Sequence, residues 1–161
     1  MAHHSTTRGF TLVETLIATG LLVTALAGLA HLLAMSVRFT NDAGQSGVAL
    51  MAAQDKIESL RALRFGYDDH GEPETDARLD PSPATGLSES VPGYVDWLDA
   101  SGASRAEGAD AEYVRRWRIT IVGNDDPSAV IIDVCVFHAR AAVQSVDTAE
   151  ACLATARVRQ L

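Results

Sequence analysis

From Thr15 to Val37 the chain runs 23 residues without a formal charge, His31 being counted as neutral. At about 1.5 Å rise per residue, a helix of that length spans a bilayer core of roughly 30 Å. No small water-soluble core needs so long an uninterrupted apolar element, so the run predicts a transmembrane helix near the N-terminus. In a chain of 161 residues this leaves room for one further small domain.

Glu14 stands at the edge of the run, four residues after Phe10 in Gly9-Phe10-Thr11-Leu12-Val13-Glu14. A carboxylate beside hydrocarbon costs on the order of a few kcal/mol and needs a partner. A cut after Gly9 would supply one, because the new α-amino group on Phe10 is a nearby cation, on the same chain or on an axially offset neighbour. The first helical turn, with its unpaired N–H groups and positive dipole end, also favours an acid. A secretory signal peptide has a shorter apolar core and a small-residue cleavage site beyond it. A plain anchor accounts for Arg8 on the leader side, but neither accounts for Glu14.

These residues resemble the prepilin cleavage motif of the type IV pilins and type II secretion pseudopilins. The resemblance implies that a prepilin peptidase cuts between Gly9 and Phe10, and that the amine of Phe10 is then N-methylated. It further implies that Glu14 recognises the amine of an adjacent subunit during assembly. The stretches Tyr113–Ile119, Ile132–Val136 and Cys152–Thr155 look most like the minor pilins of the PilV kind. The expected fold is pilin-like α+β, a long N-terminal helix packed on a small C-terminal antiparallel sheet. Its parts are a leader at 1–9, a transmembrane half-helix at 10–37, an amphipathic half at 38–65, and a periplasmic head of loops and sheet at 66–161. Many major pilins carry a proline near the middle of the helix; around His31 this chain has none.

Within the apolar run, Gly20 and Gly28 with Ala18, Ala25, Ala27 and Ala30 offer small residues for close helix approach, although such residues are common in any membrane helix. Beyond Val37 the pattern turns amphipathic. Val48, Met51, Ala52, Ala53, Ile57 and Leu60 recur at three- and four-residue steps, with Gln54, Asp55, Lys56, Glu58 and Arg61 opposite. Gly66 reads as the helix stop, with Arg61 and Arg64 in the last turn.

From Tyr67 to Asp110 the chain holds four of its prolines and many acids, a loop signal. One island, Tyr94–Leu98, reads as a short strand or a segment docked on the helix. Three strands follow. Tyr113, Trp117, Ile119 and Ile121 alternate with Arg116, Arg118 and Thr120; Gly123–Pro127 forms a turn; Val130, Ile132, Val134 and Val136 make one apolar face. Cys152–Gln160 reads as the third strand, with Ala154, Ala156 and Val158 on one side.

Pilins often staple their C-terminal region, so the resemblance makes Cys135 and Cys152 a candidate disulfide, permitted outside the cytoplasm. Strand parity sets Cys135 with Ile131 and Phe137, away from the apolar face, and Cys152 with Ala154, which leaves the pairing open. A Cys135–His138 metal pair is disfavoured because the two point to opposite faces of one strand, and the acids of the loop region show no calcium-loop spacing.

Acids outnumber Lys and Arg by 21 to 13, a net charge of −8, which argues against nucleic-acid binding. No phosphate loop, nucleophile elbow, catalytic pair or metal cluster is present in the sequence, so no enzyme activity, cofactor or metal is expected. The expected partners are a prepilin peptidase, other pilin or pseudopilin subunits, and the inner membrane. The expected role is a minor pilin of a type IV pilus. The alternatives are a minor pseudopilin of a type II secretion system and a membrane-anchored periplasmic binding protein that never assembles.

Overall fold

The structure is a computed structural model that describes residues 10–107, 110–123, 128–141 and 144–159. Gly9, the turn residues 124–127 and Gln160 lie outside the described residues. The chain is α+β, and it divides into two compact units after Asp42. One helix, α1 (Leu12–Arg61), supplies residues to both.

In the first unit α1 begins at a capped end. Thr11 Oγ1 accepts the N–H of Glu14 at 3.3 Å, the position a capping hydroxyl serves. Every side chain from Phe10 to Asp42 is exposed. The threonines of this apolar stretch turn their hydroxyls inward. Thr15 donates to Leu12 O at 2.8 Å, Thr19 to Thr15 O at 2.8 Å and Thr24 to Leu21 O at 2.9 Å. Such back-bonding removes the cost of a bare hydroxyl in hydrocarbon. α1 holds one stretch long and apolar enough to cross a membrane, and none of that stretch is buried.

The second unit opens with the C-terminal part of α1, where Ala49, Ala52, Ala53, Ile57 and Leu60 are buried at helical spacing. The alanines carry no side chain beyond Cβ, so the helix backbone lies close to the sheet it covers. The helix ends at Arg61 rather than Phe65, which shortens the expected amphipathic half 38–65. Phe65 is buried and opens a strand, β1 (Phe65–Tyr67), paired antiparallel with β2 (Pro73–Thr75). Gly66 therefore sits opposite Glu74 in a hairpin and is not a helix stop.

The main sheet contains β3 (Val95–Leu98), β4 (Ser104–Arg105), β5 (Tyr113–Val122), β6 (Ala129–His138) and β7 (Ala151–Val158). Its strand order is β4-β3-β5-β6-β7 and every neighbouring pair is antiparallel. The Tyr94–Leu98 island thus resolves as a strand rather than a docked loop. Tyr113, Trp117 and Ile119 of β5 and Val130, Ile132, Val134 and Val136 of β6 share the core with α1.

Two features of the sheet lie beyond what the alternation fixes. On β7 the residues turned to the core are Ala151 and Leu153, while Cys152, Ala154, Ala156 and Val158 are exposed. The register fixes this, because Leu153 is opposite Val134 and Ala154 opposite Asp133. Nor is the outer face of the sheet wholly solvated. Leu87 packs there with Val114, Cys135 and Phe137, and its segment is tied to β5 through Ser82, whose N–H donates to Ile119 O at 3.1 Å. Arg116, which the alternation sets among the polar residues, is consequently only 5% exposed.

Candidate functional site

The residues singled out by the sequence fall into separate places. Phe10 is 77% exposed just ahead of α1, and Glu14 lies in the first turn of the helix. Among the described residues no ion pair involves Glu14. Gly9, the other half of the expected cleavage junction, is outside them.

Cys135 and Cys152 form a disulfide. They are register partners on β6 and β7, with Cα atoms 4.2 Å apart, the separation of a pair that exchanges no backbone hydrogen bonds. Their parity is shared rather than opposed: Cys135 lies with Phe137 on the outer face, and so does Cys152. Both strands simply alternate from the same rung.

An ion network with no local motif in the sequence joins α1 to the sheet. Asp96 Oδ2 accepts from Arg115 Nη2 at 2.6 Å and from Lys56 Nζ at 3.0 Å. Arg115 Nη1 also donates to Ala52 O, on α1, at 2.7 Å. Lys56 lies 3.5 Å from the ring centroid of Trp117, a cation–π contact. Loss of water pushes the Lys56 ammonium below its ordinary pKa, with Asp96 opposing that shift. Burial also pushes on the Asp96 carboxyl, upward, but the hydrogen bonds from Arg115 and Lys56 outweigh it and hold the group below 3.8. The signal was available: Arg115 shares the parity of Tyr113 and Trp117, so a charge was bound for the core side and needed an acid.

A cleft of about 270 Å³ opens beside this network, bounded by Lys56, Leu60, Leu63, Arg78, Asp96 and Trp117. Its cations are already committed, Lys56 to Asp96 and Arg78 to Asp76 at 2.8 Å. The network therefore works as a clasp between helix and sheet, with no charge to spare for a ligand. Arg116 performs a similar task on the outer face. It donates to Ser88 O at 3.1 Å, to Ser90 Oγ at 3.0 Å and to the side-chain oxygen of Gln144, holding the covering segment down.

His138 stands between two acids, 3.7 Å from Glu112 and 3.5 Å from Glu150, with its ring stacked on Tyr113. Its two nitrogens face different carboxylates, so the three do not converge on a point. Among the described residues no cluster of His, Cys, Asp and Glu is arranged to hold a metal ion. Comparison of the chain with family models, curated proteins and solved structures finds no match in any of the three.

Proposed function

We propose that the chain is a structural pilin-like subunit, most like a minor pilin, and not a catalyst. In this reading a prepilin peptidase removes residues 1–9, Phe10 becomes the N-methylated terminus, and the apolar helix carries the subunit from the inner membrane into a type IV pilus. The observation that carries the reading is Glu14: an acid in the first turn of an exposed apolar helix, without an ion-pair partner among the described residues. A neighbouring subunit's terminal amine would satisfy it, and a solitary anchor would not.

The Cys135–Cys152 disulfide supports a head outside the reducing cytoplasm. The helix–sheet clasp supports a head that keeps its shape while its helix changes surroundings.

The test is the intact mass of the membrane-extracted chain, expressed with and without an active prepilin peptidase. The expected result is loss of Met1–Gly9 and gain of one methyl group, in the presence of the enzyme only. An intact Gly9–Phe10 junction beside an active peptidase would leave a permanently anchored protein and end the assembly reading.

A further inference from the structure

We propose that the outer edge of β7 docks on β7 of a second copy of this chain, paired antiparallel about Ala154. β7 ends the sheet, with β6 as its only strand neighbour among the described residues. Its eight residues contain no proline, and the side chains it exposes, Cys152, Ala154, Ala156 and Val158, are small and uncharged. Natural sheets commonly shield an edge with a charge, a proline or a very short strand. The opposite edge of this sheet obeys that rule, since β4 has two residues and one is Arg105. β7 does not.

The backbone shows which groups are on offer. The narrow Cys135–Cys152 rung, with Cα atoms 4.2 Å apart, is a non-hydrogen-bonded pair. Arg159 N donates to Ser128 O at 2.8 Å, which places the odd-numbered residues of β7 in the bonded rungs. The N–H and C=O groups of Cys152, Ala154, Ala156 and Val158 therefore point away from β6. Among the described residues no turn, loop or side chain hydrogen-bonds to them.

Charge selects the occupant. Before β7 stand Asp147 and Glu150; at its far end Arg61 and Arg157 share a shallow basic pocket, and burial together with Arg61 lowers the pKa of Arg157. Arg157 donates to the carbonyl of Leu63 at 2.9 Å and meets no acid among the described residues. A strand that is acidic at one end and basic at the other is complementary to itself when reversed. Centred on Ala154, the pairing sets Cys152 against Ala156 and Glu150 against Val158 of the second copy, beside the basic pocket. Small side chains meet along the shared face, so nothing must move to let the strands close.

The contact needs no leader cleavage, so its test is independent of the function proposed above. The full-length chain in detergent micelles carries Ala154→Cys, and oxidation should give a disulfide-linked dimer on non-reducing gels. Thr155→Cys, whose side chain faces inward, should give none. In an Ala156→Cys background, Ala154→Lys on both copies sets two ammonium groups opposite each other and should abolish crosslinking between the two introduced cysteines by a long flexible thiol-reactive linker, Cys135 and Cys152 staying in their disulfide. Charge exchange adds a rescue: Glu150→Lys and Arg61→Glu, each in the Ala154→Cys background, should cut the dimer yield several-fold, and the two combined should restore it. A chain that gives no Ala154→Cys dimer, or whose dimer ignores the charge reversals, would overturn the proposal. Melting of each variant at the native temperature confirms that any loss is not unfolding.

Discussion

Removing the charge of Asp96 should unfasten helix from sheet. In the Asp96→Asn variant, Arg115 and Lys56 remain side by side with no counter-charge. Their side chains are 9% and 16% exposed, against 27% for Asp96. Breaking a buried pair from one side costs about 3–5 kcal/mol; the partial exposure of Asp96 favours the lower end, about 3 kcal/mol. A folding unit of roughly 120 residues has an unfolding entropy near 0.25 kcal/mol/K, so Tm should fall by about 12 °C. Lys56→Met should behave differently. It leaves the Asp96–Arg115 pair intact and removes an ammonium that burial already penalises, for a net change of about 1 kcal/mol or less.

The assay is near-UV circular dichroism of the full-length chain in detergent, where Trp97 and Trp117 report on the head. The pH dependence supplies a second check. The folded pKa of Asp96 lies below its ordinary 3.8, so its contribution is complete above the unfolded value and is lost as pH falls through the lower folded one. Acid melting should therefore be steeper below about pH 4 in the native chain than in Asp96→Asn. A Tm loss under about 3 °C for Asp96→Asn, or equal losses for Asp96→Asn and Lys56→Met, would refute the clasp.

Three further outcomes are expected. Replacing both Cys135 and Cys152 by serine should cost about 3 kcal/mol for a loop of 17 residues in the chain-entropy model, read as a lower Tm that reductant no longer changes. Ala53→Leu should overpack the helix–sheet contact, where Ala53 is fully buried, and cost about 1–3 kcal/mol in the same melt. Glu14→Ala should leave leader cleavage and methylation intact by mass spectrometry but remove the subunit from sheared filaments; undiminished incorporation would deny Glu14 its assembly role.

Much of the fold was legible because two periods are strong in this chain. The three- and four-residue spacing of Ala52, Ala53, Ile57 and Leu60 identified the buried helix face, although Met51, read with them, is 67% exposed and the fully buried Ala49 was not among them; the alternation in Val130–Val136 identified the core side of β6. Which side of β7 faces the core was not legible, for a physical reason. Its core side is Ala151, Leu153, Thr155 and Arg157, whereas its exposed side is the more uniformly apolar one. Hydropathy alone therefore points the wrong way, and only the register with β6 decides. The helix end was misplaced because Phe65 is equally at home as the last residue of an amphipathic face or the first of a buried strand. Gly66 offered a familiar stop, yet the hairpin partner eight residues on, Glu74, carries no local signal. The motif residues Phe10 and Glu14 were legible as a local pattern. The Lys56–Asp96–Arg115 clasp was not, since its members lie 40 and 19 residues apart.

The inward-turned hydroxyls of Thr15, Thr19 and Thr24 have a bearing on how the first part of α1 can measure its position against a neighbour. Between Phe10 and Ala30 the helix has spent its side-chain polarity on its own backbone, except at Glu14. A companion helix sliding along it by one turn, about 5.4 Å, would exchange one aliphatic contact for another at nearly constant energy. Such a surface is a ruler with a single graduation: it lubricates every displacement and recognises one.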